Sequence, residues 1–379
     1  MTWLIWLAAL PALAMAYVLG FVIRRLARRF GLVDRPGGRK LHKTPVPLGG
    51  GVAIWLAVLL TFALGQTALL AWEAGGRPYI SGISSNAPLE LQAFAFISPH
   101  LSGLVERSID LWVLLGAASL LMLLGLIDDR RGLDWRLRLA VQTAVAAAVV
   151  WGCNWRFTLF IDAPTTMAVL STLWIVGLVN SFNMLDNMDG LSAGVAAICA
   201  SMLAGVQLLT PNGPGRPHLF VSGLLLVLVG ALVGFLWHNR PPARLFMGDA
   251  GSYFIGFLIG VATILATFAG RGHPPHAVLS PLCILAVPLY DTVSVVGIRL
   301  RAGRSPFEGD QNHFSHRLVA LGLTKTQAVL TIYLATAACG LGALVLDQLD
   351  AFGAAAIVLS IACLLGVIAI LETTARRRF

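Results

Sequence analysis

The chain reads as an all-α, polytopic membrane protein, and three observations carry that reading. Of its 379 residues, 57% are hydrophobic and only 12% are charged, with a mean hydropathy of +0.80. Soluble domains carry about twice that share of charge. Apolar runs long enough to cross a hydrocarbon core of about 30 Å as helices recur from one end to the other. The Lys and Arg residues fall almost wholly on one side of those runs.

About eleven spans are expected, at 2–22, 48–70, 109–127, 138–153, 166–183, 190–210, 219–237, 251–269, 279–298, 328–347 and 353–371. At about 20 residues each they take up well over half the chain. No room remains for a separate soluble domain, so residues 1–379 are read as one integral-membrane unit. The first run, "WLIWLAALPALAMAYVLGFVI", is too long for a signal-peptide core and lacks both a preceding basic residue and a convincing cleavage site. It is read as a retained span.

An odd number of spans puts the termini on opposite sides. Of the 27 Lys and Arg residues, all but Arg77, Arg107, Arg156, Arg216 and Arg271 lie on the side of loop 23–47. Basic residues mark the cytosolic side, so the N-terminus is expected outside and the C-terminal "ARRRF" in the cytosol. The net charge of +9 is mostly this topological bias, and no nucleic-acid partner is needed to explain it. The five cysteines are scattered without metal-type spacing and read as small apolar residues of helices.

Sorting the loops by side separates two characters. The outer loops, 71–108 included, are rich in Ala, Ser, Gly and Pro and hold nothing resembling a catalytic set. The cytosolic loops, at about 23–47, 128–138, 183–190, 238–250 and 299–327, each carry a dense polar string. These are "DRPGGRKLHKTPVPLGGG", "DDRRGLDWRLR", "NMLDNMDG", "HNRPPARLFMGDAGS" and "RLRAGRSPFEGDQNHFSHRL". A site open to the cytosol at the membrane surface is implied.

Each string has a plain structural explanation beside the functional one. One Asp at the end of "GLIDDRRG" could be a solvated helix end, but Asp128 and Asp129 together repel and suggest a cation between or beside them. Asp249 in "FMGDAGS" could simply cap a helix start. His313 and His316 could be solvated loop residues, and a metal pair at that spacing is a weak signal. "NSFNMLDNMDG" is harder to dismiss. Asn180, Asn183, Asp186 and Asp189 recur every third residue, so on a helix each is rotated about 60° from the last. The spacing predicts a helix ending near Asp186, a turn, and a new span from about Leu191, with Asn183 and Asp186 facing inward and Asp189 on the turn. A carboxylate facing lipid costs about 2.5–3.5 kcal/mol, so these acids are expected to be engaged. The same argument makes Asp291, inside "AVPLYDTVSVVGIRL", functional or paired.

There is no Walker A loop and no Gly-rich dinucleotide turn, which excludes a P-loop ATPase. The Gly pairs at 37–38 and 49–51 read as a hinge into the second span. Mg²⁺ takes one or two carboxylates and completes its shell with phosphate oxygens and water, and Arg and Lys bind phosphates. The cytosolic set therefore suits phosphoryl transfer between a nucleotide arriving from water and a lipid phosphate in the bilayer.

In order and in side, the strings "DRPGGRKLHKTPVPLGG", "GLIDDR", "NSFNMLDNMDGLSAG", "FMGDAGS" and "SPFEGDQNHFSHRL" resemble those of the polyprenyl-phosphate N-acetylhexosamine-1-phosphate transferases. The likeness runs over almost the whole chain, and within the family it is to the bacterial branch using UDP-GlcNAc and undecaprenyl phosphate. The resemblance implies a bacterial inner-membrane enzyme facing the cytosol that moves HexNAc-1-phosphate from a UDP-sugar to undecaprenyl phosphate and releases UMP. Such a step begins a cell-envelope polysaccharide such as O-antigen or teichoic acid. It implies Mg²⁺ as cofactor, with Mn²⁺ as the alternative, and is compatible with a homodimer. Carried over by motif, Asp128, Asp129 and Asp186 are catalytic, and Asp249 and Asn183 hold the metal. Asp189, His313, His316, Arg138 and Arg304 bind nucleotide, phosphate or sugar. Lys40, His42, Asn180 and Asp291 are further candidates.

Two positions depart from the family's pattern. Ser315 stands where H-x-H-H would have a His, and Asn187 where Gly is common. The first bears on how the sugar and diphosphate are held. The nearest rival is phospho-MurNAc-pentapeptide transferase, whose His loop ends in consecutive His and whose first cytosolic loop lacks "RKLHKTPVP". A secondary transporter would place polar residues at the midplane in repeated halves, and no such echo is found.

Overall fold

The computed structural model describes residues 2–34, 45–74, 101–157, 163–209, 219–266 and 274–376. The described residues form a helical bundle with a single two-residue ribbon. In chain order the helices are α1 (Thr2–Arg29), α2 (Gly50–Ala74), α3 (Leu101–Glu106), α4 (Ser108–Arg131), α5 (Trp135–Gly152), α6 (Pro164–Leu185) and α7 (Leu191–Leu209). They continue with α8 (Leu219–Asn239), α9 (Gly248–Leu265), α10 (Ser280–Ile284), α11 (Ala286–Arg301), α12 (Phe314–Ala320), α13 (Lys325–Val345) and α14 (Ala351–Arg376).

Local signals explain several boundaries. Asp134 caps α5 by accepting the Arg136 N–H, and Thr324 with Gln327 forms a capping box at the start of α13. Pro164 opens α6, where a missing N–H costs nothing.

Nine of these helices are long and apolar enough to cross a membrane, and a tenth span results if the pair Pro275–Ile284 and Ala286–Arg301, bent by 67°, counts as one. The expected eleven is therefore not reached on length and apolarity. The missing one is 138–153, observed as α5, whose Arg136, Arg138 and Gln142 dilute its apolar character. The bend has a cause in Pro288, which has no N–H to offer the preceding turn.

The layers follow from burial. α9 lies at the centre, with 83% of its most apolar window buried, whereas α14 has 6%. Large apolar residues such as Leu334 and Phe352 point outward, as expected for a surface solvated by lipid. Between helices in lipid the hydrophobic drive is absent, and close packing of small residues takes its place. A Cβ on Gly51 would lie 2.1 Å from the Gly251 nitrogen, so α2 and α9 touch backbone to backbone. The N–H groups of Gly50 and Gly51 donate to the carbonyls of Phe246 and Met247 at 2.8 and 2.9 Å. Gly49–Gly51 is thus a packing contact, not the hinge expected. Gly37 and Gly38 lie outside the described residues.

The ribbon pairs Val33–Asp34 with Val46–Pro47 antiparallel. Pro47 in turn accepts the Phe246 N–H at 2.9 Å. The start of the chain is thereby stitched to the segment before α9, and Asp34 is delivered to one end of the bundle.

Candidate active site

The acidic part of the site is built by helix ends. Gly125 lies one turn before the Asp pair of α4, and a Cβ there would sit 2.4 Å from the Asp249 backbone. Its absence lets the end of α4 reach the start of α9. Asp129 then accepts the N–H groups of Asp249 and Ala250 at 2.9 and 3.2 Å. Met247, at the N-cap of α9, supplies no side-chain cap. The carboxylate of a neighbouring helix serves instead, where the positive end of the helix dipole favours it by about 0.3–1 kcal/mol. Gly248 has φ +72°, and a Cβ there would meet the Asp129 carboxylate at 2.5 Å.

Asp128 turns the other way. It accepts from the Leu133 N–H at 2.7 Å, Arg138 Nη1 at 2.8 Å and the Tyr253 hydroxyl at 3.0 Å. The adjacent carboxylates therefore diverge, with the Arg138 cation beside Asp128. Arg138 offsets one charge and a helix N-terminus the other. Arg138 Nη1 also lies 4.0 Å from Asp249 Oδ2. On the opposite flank Asn183 Nδ2 donates to Asp249 Oδ1 at 2.6 Å and to Ser252 at 3.1 Å.

The stretch after Asn183 folds as its spacing predicts. α6 ends at Leu185 with Asp186 as its C-cap, and α7 begins at Leu191. Burial first, and then the charges of Asp129 and Asp189, push Asp186 up to about 8. Asp189, on the turn, accepts the Ala243 N–H at 2.9 Å. Asn239 Oδ1 accepts the Gly190 N–H at 2.9 Å, and the Tyr333 hydroxyl donates to the Gly190 carbonyl. One polar stretch thus serves two places, Asn183 and Asp186 toward α9 and Asp189 toward the end of α8.

The histidine loop is tied by buried hydrogen bonds and ion pairs. Asp291 in α11 accepts the Phe314 N–H at 2.6 Å and contacts His313 Nδ1 at 2.9 Å. Arg299 binds the Pro306 carbonyl at 2.6 Å and Asp310 at 3.0 Å. Burial alone would raise the Asp310 carboxyl, but hydrogen bonds from Arg299 and Asn312 hold it well below the usual range. Burial, with His313 beside it, pushes His316 down to about 4, so its ring is neutral near pH 7. Arg317 Nε lies 2.9 Å from Glu372 Oε2 as an ion pair with its N–H aimed off the oxygen. The Tyr290 hydroxyl donates to the same oxygen at 2.8 Å.

These parts enclose a cavity of about 980 Å³. Six carboxylates line it, those of Asp34, Asp129, Asp186, Asp189, Asp249 and Asp310, together with Asn187, His313, His316 and Lys325. Its volume is at the top of the range of about 300–1,000 Å³ usual for small-molecule sites.

Comparison with known proteins decides the family. Residues 111–267 match glycosyl transferase family 4, a region that carries Asp128, Asp129, Asn183, Asp186 and Asp249. The decaprenyl-phosphate N-acetylglucosaminephosphotransferase of Mycolicibacterium smegmatis is 31% identical, over 98% of this chain and 89% of that protein. The probable undecaprenyl-phosphate N-acetylglucosaminyl 1-phosphate transferase of Bacillus subtilis is 29% identical, over 86% of this chain and 80% of its own length. The undecaprenyl-phosphate alpha-N-acetylglucosaminyl 1-phosphate transferase of Escherichia coli is 29% identical, over 84% and 77%. The chain belongs to the polyprenyl-phosphate N-acetylhexosamine-1-phosphate transferase family.

Of the residues the family resemblance singles out, the cavity wall holds Asp129, Asp186, Asp189, Asp249, His313 and His316. Asp128, Arg138 and Asn183 stand directly behind it, and Asp291 braces the His loop. Asn180 lies a turn deeper, bonded to Gln142 at 2.8 Å. Arg304 is not brought to the cavity. It is exposed and pairs with Glu308 at 3.0 Å. Lys40 and His42 lie outside the described residues.

The residues that escaped the sequence reading include the cavity-lining Asp34, Asp310 and Lys325 and three supporting side chains. Tyr253 anchors Asp128, Tyr333 pins the Gly190 turn, and Glu372 braces Arg317. Glu372 carried a usable signal, an acid at the end of a long apolar run. The tyrosines carried none.

A divalent cation fits the donor set. Among the described residues no three His, Cys, Asp or Glu side chains form a ready-made cage. Mg²⁺ does not need one, since substrate phosphates complete its octahedron. Asp249, oriented by Asn183, with Asp129 or Asp186 beside it, offers the one or two carboxylates required. The surplus of carboxylates would also repel an anionic diphosphate unless a cation offset it.

Proposed function

We propose that this chain transfers N-acetylglucosamine 1-phosphate from UDP-GlcNAc to undecaprenyl phosphate at the cytosolic face of a bacterial inner membrane, releasing UMP. The observation that carries the reading is the convergence of separate helix ends on one acidic cavity. Its wall also takes in the histidine loop and Lys325. The relatives' names supply the class of donor and acceptor, and the cavity supplies a place where a nucleotide and a lipid phosphate can meet.

The topology read from the sequence has support in how the helix ends meet. Around the cavity gather the ends of α1, α4, α6, α8, α11 and α14 and the starts of α2, α5, α7, α9 and α13. That alternation suits eleven crossings with the two termini on opposite sides, and the basic bias places the cavity in the cytosol.

In the reaction a lipid phosphate oxygen forms a bond to the β-phosphorus. The bond from that phosphorus to the bridging oxygen breaks, and UMP departs with the oxygen. One phosphoanhydride replaces another, so the step is reversible. A phosphate monoester, with a second pKa of about 6, is already mostly dianionic at pH 7, so the main demand is positioning and charge neutralisation rather than a strong base. Asp249 and Asn183, with Asp129 or Asp186, would hold Mg²⁺, which when bound neutralises the diphosphate. Asp128, which accepts from Arg138, Tyr253 and the Leu133 N–H, orients Arg138. Asp189 and the histidines, which also line the cavity, would serve the nucleoside and sugar.

The test is UMP exchange by purified protein with Mg²⁺, undecaprenyl phosphate and a panel of UDP-sugars. Exchange with UDP-GlcNAc is expected. Exchange only with UDP-MurNAc-pentapeptide would move the chain to the peptidoglycan branch, and no exchange with any donor would remove the transferase reading.

A further inference from the structure

The two positions at which the sequence departs from the family pattern, 187 and 315, are bonded to each other. Ser315 Oγ lies 2.5 Å from Asn187 Oδ1. The orientation of the Asn187 amide is set independently, because its Nδ2 donates to the Met184 carbonyl at 2.8 Å. Oδ1 can therefore only accept, and the single Ser315 hydroxyl proton goes to it.

That assignment propagates to the neighbouring ring. His316 Nδ1 is 3.3 Å from the same Ser315 Oγ, which has no second proton to give. The contact is a hydrogen bond only if Nδ1 carries the hydrogen. A neutral His316 then keeps its lone pair on Nε2. His316 and Asn187 both line the cavity, while Ser315 is 1% exposed behind them. The pair thus joins the turn after α6 to the start of α12, the acidic half of the site to the histidine half.

We propose that Asn187 and Ser315 act as one coupled positioning element that presents His316 Nε2 as a hydrogen-bond acceptor to an N–H or O–H of the donor sugar. The proposal rests on the transferase reading above. Asn187 and Ser315 are positioning residues, since they act through His316. Their two departures are one change, in which a side chain at 187 and a short hydroxyl at 315 share room that Gly and a larger residue would divide differently.

The test is a double-mutant cycle in the UMP-exchange assay with UDP-GlcNAc, using Asn187→Ala, Ser315→Ala and the double variant, with thermal melts of each. Each single variant should raise the donor KM about five- to tenfold, the scale of one lost hydrogen bond, with kcat within about threefold. The double variant should be no worse than the poorer single one, because both remove the same bond. Ser315→Thr, which keeps the hydroxyl, should stay nearer to wild type than Ser315→Ala. A second pair sharpens the point. Ser315→His alone should impair the enzyme more than Asn187→Gly/Ser315→His together. Effects that multiply in the Ala cycle, or that fall on kcat with the donor KM unchanged, would overturn the proposal. Wild type inactive with every donor would instead overturn the transferase reading.

Discussion

The two halves of the cavity are held in position by different physics. The acidic half is made of helix ends pressed together through glycines, Gly125 against the Asp249 backbone and Gly51 against Gly251. The carboxylates of Asp129 and Asp249 there are held by backbone N–H groups and an amide, and Asp128 is paired with Arg138 and Tyr253. The histidine half is a long loop between α11 and α13, fastened by side-chain ion pairs. They are Arg299–Asp310 and Arg317–Glu372, beside the contact of His313 with Asp291. A site on packed helix ends has little room to adjust, which suits the reacting phosphates. A loop on ion pairs can shift as a bulky donor enters and leaves. Under the proposed function, the difference suits the first half to the chemical step and the second to donor recognition.

Substitutions in the two halves should therefore separate in kinetics. The largest effect is expected for Asp249→Asn, with kcat for UMP exchange falling about 100- to 1,000-fold, as when one transition-state contact is lost. Its melting curve should stay near that of wild type, and retained kcat would remove Asp249 from the chemistry. Gly248→Ala comes next. Its Cβ displaces Asp129, and the positive φ adds about 1–3 kcal/mol of strain. The expected result is a kcat loss of about 100-fold, with α9 still folded by circular dichroism. Glu372→Gln keeps an acceptor for Tyr290 but removes the charge facing Arg317. The donor KM should rise about tenfold, the usual scale for a supporting residue, with kcat little changed. A fall in kcat instead would mean that the two halves are not separable. Arg304→Ala is the control. The exposed Arg304–Glu308 pair is worth about 0–1 kcal/mol, and both constants should stay within about twofold of wild type.

How much of this was legible in the sequence follows the same division. Residues within one stretch were readable, because helix rotation and lipid cost act locally. The three-residue spacing from Asn180 to Asp189 anticipated the end of α6 at Leu185 and the start of α7 at Leu191. Asp291 stood out as an acid within a span, and it is paired. What depends on a distant partner was not readable. Nothing in "GLIDDR" says that Asp128 turns to Arg138 and Tyr253 while Asp129 caps α9. Arg304 looked like its neighbours in a basic loop, yet it faces solvent. Nor does Asn187 reveal Ser315, 128 residues away. The span count turns on α5, a helix spanning in length but polar at its start through Arg136 and Arg138.

The central claim is that the acidic half alone holds a divalent cation. Mn²⁺ binding to the purified protein, followed by electron paramagnetic resonance with and without UMP, tests it directly. Wild type and Glu372→Gln should bind Mn²⁺ alike, with Mg²⁺ competing, and Asp249→Asn should lose the bound signal. Equal binding by Asp249→Asn, or loss of the signal in Glu372→Gln, would contradict the account.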